Sequence, residues 1–395
     1  MKLRHYFTHF SSLGGVQSIL TTHLNHDVKA GLRSSLLAFF DQEETDTPYS
    51  VRGLNWNGRT NILKARKAFK SRESGVTQDC CVYHDLWGMA FLADLDSCSL
   101  RLGAIHSHWP HLEHQLSQLD GFLDGVFCDS QAIADLAQKH MPSLSPERAI
   151  HLPVPIKTCP PDFQSKRPPL GVRPLRLGFV GRVDHLQKKV ERFIPLVKVL
   201  ETRKIPFELE FLGCGTAEPE LKQAFRDKKH IHFHGRQSGS DYWRILSSWD
   251  FVIYTSDFEG SPLAMQEALN AGCIPIFPRI QCGGDKVVEN IHPDLLYQPE
   301  DYASIASTLK AWQELPPEQV EEARGKGISI SNEYAEDKYH YKFMSFLNRI
   351  QRLPRISRQP VPARARFWTD HLPFAVLRRW FPKAFFNYGP ERTEI

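Results

Sequence analysis

The sequence predicts two Rossmann-like, doubly wound α/β domains, and three observations carry that prediction. The chain has 395 residues, too many for one ordinary core. In both halves, apolar runs too short for helices alternate with helical patterns, as in parallel sheets covered on both faces. Between the halves, seven prolines fall from Pro153 to Pro174, and a segment of that kind is neither helix nor central strand.

Taken in order, "LRHYFTHF" reads as the first strand, and "GGVQSILTTHL" starts a helix after the pair Gly14 and Gly15. "SSLLAFF", "CCVYH", "LGAIH" and "GVFCDS" are further strand candidates. The proline-rich stretch then acts as a semi-rigid linker. The second half is more regular. Its strands are "LRLGFVG", "FELEFLG", "IHFHG", "FVIYTS", "CIPIF" and "LLYQ", each followed by a helical pattern. This gives domains at 1–155 and 175–335, a linker at 156–174, and a C-terminal helix with a basic, aromatic tail at 336–395. The halves share a style of alternation but no sequence repeat.

Composition narrows the function classes. Hydrophobic residues make up 41% and charged residues 24%, as in a soluble globular chain. No apolar run approaches the roughly 20 residues that span a bilayer. The N-terminus "MKLRHYFTHF" lacks the apolar stretch of an export signal, so a cytoplasmic protein is expected. Eight cysteines without a C-x-x-C pair read as free thiols in a reducing compartment. From Gln351 onward there are nine Lys/Arg and three Asp/Glu, so the tail holds +6 of a net +4 and the rest of the chain is −2. The body therefore has no electrostatic case for nucleic acid. The tail also carries eight aromatics, a mixture suited either to an anionic membrane surface or to packing back on the first domain.

In a parallel sheet, ligands sit at the carboxyl ends of the strands. After "FVIYTS" comes "DFEGSPLAMQEALNAG". Ser261 suits an N-cap, Pro262 a first helical position and Gly272 a C-terminal stop. The helix start over Ser261, Pro262 and Leu263 offers N–H groups and a positive dipole end to a phosphate. Glu259 lies just ahead of it, placed for hydroxyl donors rather than phosphate. Glu267 borders the apolar stripe and suits a second set of hydroxyls, such as a ribose diol. The same two residues are also compatible with an acidic loop and a boundary glutamate. Arg182 and Lys188, after "LRLGFVG", suit a diphosphate, although basic pairs are common on plain surfaces. Gly14 and Gly15 permit close backbone approach or make a turn. His84 and His106 end strands of the first domain. "DLD" at 94–96 has the form of a metal-binding D-x-D, but no strand leads into it, so no metal is expected there.

Together these residues resemble the retaining glycosyltransferases of family 4 (glycosyl transferases group 1), which have the GT-B fold. The likeness rests on "FVGRVDHLQKK", "GCGT", "HFHG", "EGSPLAMQEALNAGCIPI" and "SSLGGVQ". It implies two Rossmann-like domains facing across a cleft, the first for the acceptor and the second for a nucleotide-sugar donor. It implies that Arg182 and Lys188 neutralise the diphosphate, Glu259 holds the donor sugar and Glu267 the ribose. Backbone amides at 261–263 take a phosphate, His106 or His84 faces the donor sugar, and Arg236 lies near the nucleobase. No metal or cofactor is implied. The expected partners are a UDP- or GDP-linked sugar and a glycan or lipid-linked acceptor in bacterial surface polysaccharide assembly, on the inner face of the membrane. Asp285 and Lys286 depart from the family's usual apolar-then-Glu step. A sugar-nucleotide epimerase, a phosphorylase and a non-catalytic nucleotide-sugar-binding subunit are the rival readings.

Overall fold

The computed structural model describes residues 1–11, 15–42, 49–109, 111–163, 167–259, 263–280, 282–357 and 368–381. The chain forms two compact units. One comprises Met1–Pro153 with the chain from Asp337 onward; the other is Val154–Glu336.

The first unit has seven parallel strands: β1 (Lys2–Phe7), β2 (Arg33–Ala38), β3 (Val51–Gly53), β4 (Gln78–His84), β5 (Cys98–Ile105), β6 (Gly125–Cys128) and β7 (Ala149–His151). Their order is β3-β2-β1-β4-β5-β6-β7. The second unit has β8 (Leu175–Val180), β9 (Phe207–Leu212), β10 (Ile231–Gly235), β11 (Phe251–Ile253), β12 (Ile274–Pro278) and β13 (Leu296–Tyr297), ordered β10-β9-β8-β11-β12-β13. All these pairings are parallel. The two halves thus share one topology despite sharing no repeat. In each, the first strand lies between the second and the fourth, which creates a switch point where ligands bind in such sheets. The expected strands are present. β3 and β7 were not expected: each is three residues at a sheet edge, too short to show a pattern.

Core packing fixes the second unit. Phe179, Phe193 and Phe211 are fully buried and meet edge to face or tilted. The Trp249 ring lies against Gly178, where an added Cβ would come within 2.0 Å of it. The proline-rich segment is tied down rather than loose. Arg167 donates to the carbonyls of Ser247, Ala271 and Gly272, and Arg173 pairs with the buried Asp250.

In the first unit, an aromatic cluster of Phe39, Trp56, Trp87 and Phe91 is capped by Phe374 from the tail. The helix Glu336–Arg352 buries Tyr339, Phe343, Phe346, Leu347 and Ile350. The tail helix Phe374–Trp380 buries Phe374 and Leu377 and leaves Trp380 exposed; Trp368 before it is exposed too. Among the described residues, no helix is long and apolar enough to cross a membrane. All eight cysteines are free thiols.

Candidate functional site

The switch point of the second unit lies between β8 and β11, and the loops after these two strands carry the site. The β8 loop is organised by Asp184, whose carboxylate accepts the amides of Gln187 at 2.7 Å and Lys188 at 3.1 Å and the Arg182 Nε at 2.5 Å. Burial pushes the Asp184 carboxyl up, but these bonds outweigh it and hold the carboxyl below its ordinary range. Arg182 also donates to Gln187 Oε1 at 3.0 Å, and most of its side chain faces solvent. The neighbouring loop explains the G-x-G. A Cβ at Gly213 would lie 1.9 Å from the Gly181 carbonyl oxygen, and one at Gly215 would lie 2.2 Å from that of Val183. The two glycines are therefore required by backbone contact between the β8 and β9 loops.

Lys188 turns inward. Its Nζ stands 2.5 Å from Glu259 Oε1, on the loop after β11, and both residues are buried. The same oxygen accepts the Ser256 hydroxyl at 2.5 Å, while Gln187 Nε2 donates to Glu259 Oε2 at 3.2 Å. The two charges read from separate motifs are thus one hydrogen-bonded pair. Asp184, Gln187 and Ser256, which orient that pair, were not read from the sequence. Asp184 had a readable signal, an acidic residue three and four positions ahead of the amides it holds.

Glu267 lies in the helix Leu263–Asn270, which ends as the Gly272 position suggests. Gly272 has φ +81° and its amide reaches the Leu269 carbonyl, while the Cys273 amide reaches that of Ala268. The Tyr242 hydroxyl donates to Glu267 Oε2 at 2.5 Å. Burial raises the Glu267 carboxyl to about 7, against the opposing pulls of Tyr242 and Lys157. Tyr242 is another residue that sequence reading missed. Arg236 follows β10 and is exposed. Leu263 opens the helix and is half-buried; Ser261 and Pro262 lie outside the described residues.

In the first unit, Gly15 is the exposed first residue of the helix Gly15–Lys29, and Gly14 lies outside the described residues. Asp41 holds the backbone ahead of them, accepting the amides of Phe10 at 2.7 Å and Ser11 at 3.0 Å. His84 and His106 are brought together, with His84 Nδ1 2.8 Å from His106 Nε2. His84 Nε2 meets His5 Nδ1 at 2.9 Å, and His106 Nδ1 meets Asp129 Oδ1 at 3.1 Å. Both ring nitrogens of each histidine are therefore engaged inside the domain. A ring-nitrogen contact from His106 to a sugar requires one of these bonds to open. The "DLD" aspartates are paired as well: Asp94 with both terminal nitrogens of Arg66, and Asp96 with Arg101 and the Tyr83 hydroxyl.

Residues 174–314 match the model of a family described as glycosyl transferases group 1. Solved structures share the fold over nearly the whole chain. The lipopolysaccharide outer core galactosyltransferase WaaB superposes with a TM-score of 0.69 at 14% identity, covering 88% of this chain and 99% of that one. The pneumococcal O-GlcNAc transferase GtfA, solved with UDP and GlcNAc, gives 0.70 at 9% identity over 89% and 99%. HepE from Anabaena, solved with UDP and glucose, gives 0.68 at 13% identity over 88% and 100%. The two parallel-sheet units are those of the GT-B glycosyltransferase fold.

Proposed function

We propose that the chain is a retaining, metal-independent glycosyltransferase. It moves a hexosyl group from a UDP- or GDP-linked sugar to a hydroxyl of a glycan or lipid-linked acceptor. The setting is bacterial surface polysaccharide assembly, with the protein in the cytoplasm and peripheral at the inner face of the membrane. The observation that carries this reading is the pair Lys188–Glu259, brought together from loops on either side of the switch point. A cation for phosphate and a carboxylate for hydroxyls, held side by side, match a sugar diphosphate. The family match over 174–314 supports it, as do neighbours solved in complex with UDP and GlcNAc or with UDP and glucose.

In this mechanism the donor exchanges one pairing for two. Its diphosphate takes Lys188 and Arg182, and its sugar hydroxyls take Glu259. As the glycosidic bond breaks, negative charge gathers on the leaving diphosphate, and the two cations stabilise it more than they stabilise the bound donor. The leaving phosphate oxygen accepts the proton of the acceptor hydroxyl on the same face of the sugar, which retains the anomeric configuration. Glu267, with Tyr242 beside it, binds the ribose. Acceptor choice is assigned to the first unit.

A panel of UDP- and GDP-sugars, offered with glycan and lipid-linked acceptors, tests this. A glycoside of the donor's own anomeric configuration by NMR, with one nucleoside diphosphate released per glycoside, is expected. An epimerised donor or a free sugar phosphate would replace the reading with an epimerase or a phosphorylase. Nucleotide binding without turnover would make the chain a binding subunit.

A further inference from the structure

The helix Gly15–Lys29 and the helix Glu336–Arg352 enclose a cluster of side chains that the proposed transfer does not use. His5 comes from β1, His23 and Asp27 from the first of these helices, and His340 from the second. His5 Nε2 is 3.3 Å from Asp27 Oδ2, His340 Nε2 is 2.9 Å from Asp27 Oδ1, and His23 Nδ1 is 3.8 Å from Asp27 Oδ1. The ligand atoms offered by His5, His23 and Asp27 all lie within 4.8 Å of one another, and these three residues are fully buried. We propose that His5, His23 and Asp27 form a buried site for a zinc-type divalent cation, separate from the transferase site, with His340 hydrogen-bonded to the Asp27 carboxylate behind it.

Two observations carry it. The first is spacing. Ligands at 2.0–2.1 Å around a tetrahedral ion stand about 3.3 Å apart; His5 Nε2 lies at that distance from Asp27 Oδ2, and His23 Nδ1 lies 3.8 Å from Asp27 Oδ1. Two imidazoles and one carboxylate are also a donor set that suits zinc.

The second is an unpartnered atom. His23 Nε2 bonds the Tyr339 hydroxyl at 2.8 Å, but its buried Nδ1 has no hydrogen-bond partner and faces the cluster. Buried polar atoms are rarely left so. A ligating histidine that gives its other nitrogen to a fixed partner is the usual arrangement at zinc.

The test is metal analysis of the full-length chain, purified without a metal-affinity tag, stripped with a chelator and reloaded with zinc alone. About one tightly held equivalent is expected. Reloading with zinc should raise Tm by about 5 °C or more. Cobalt loading should give the visible absorption of a tetrahedral site. His23→Gln and His340→Gln should each weaken zinc binding by at least about tenfold. His340 sits at the edge of the cluster, so its variant remains informative if His23→Gln fails to fold. A folded wild-type chain that holds no zinc after reloading and gives no cobalt absorption overturns the site. So does full zinc retention by both variants. In either case the cluster is a protein-only hydrogen-bond network.

Discussion

Lys188 Nζ and Glu259 Oε1, 71 positions apart in sequence, stand 2.5 Å apart in a buried ion pair. Removing one partner leaves the other charge buried, a change that costs about 3–5 kcal/mol for such pairs. Lys188→Ala should therefore lower both Tm and turnover, the latter by about 10²–10³-fold. The double variant Lys188→Met/Glu259→Gln should recover most of the lost Tm and none of the turnover. Melting curves and kcat on the same preparations check this. Full turnover in the folded double variant would falsify the donor assignment.

Arg182 is the contrasting case, because most of its side chain faces solvent. Its bond to Asp184 is worth at most about 1 kcal/mol there. Arg182→Ala should leave Tm nearly unchanged while kcat falls about 10²–10³-fold. A large loss of Tm with kcat intact would make Arg182 a loop brace instead of a phosphate ligand.

Glu267 gives a pH signature. Its folded carboxyl is raised to about 7 from an ordinary 4.5. Below pH 4.5 both states are protonated and burial costs nothing. Between 4.5 and about 7 the unfolded chain ionises first, so stability falls as pH rises through that window, then levels off. Glu267→Gln should remove this slope in Tm. UDP binding, measured by calorimetry, should tighten as pH rises through 7, because the ionised carboxylate is the better acceptor for a ribose diol. A pH-independent difference between wild type and Glu267→Gln would sink the assignment.

The proposed transfer uses no metal, and Asp94 and Asp96 are paired with Arg66 and Arg101. Initial rates should be unchanged by brief EDTA treatment and should not rise with added magnesium or manganese. A rate lost on chelation and restored by either ion would return the "DLD" segment to the mechanism.

The tail is expected to do two things. Phe374 is fully buried among Phe40, Trp56, Trp87 and Phe91, so Phe374→Ala should cost about 3–5 kcal/mol. Trp368 and Trp380 are exposed, and the Arg379 guanidinium lies 5.3 Å from the centre of the Trp380 ring. Trp368→Ala/Trp380→Ala should keep the wild-type Tm but reduce flotation with anionic liposomes, a binding that also weakens with salt. If wild-type protein ignores such liposomes, the tail serves the fold alone.

The sequence by itself determined the class of fold and nominated the residues of the candidate donor site. Alternation of short apolar runs with helical patterns follows from burying both faces of a parallel sheet, so it survives in a single sequence. Helix punctuation is local as well, which is why Gly272 was legible as a stop. Tertiary structure alone decided which side chains meet. The partnership of Lys188 with Glu259, the bond from Tyr242 to Glu267, and the line of rings from His5 to His106 all join different elements or the loops that follow them. The pairing order of parallel strands sets those meetings, and no local periodicity encodes it. The two glycines of "GCGT" make the same point: the sequence shows the motif, while the physical demand on them is the backbone of another loop, about 2 Å from where a Cβ would stand.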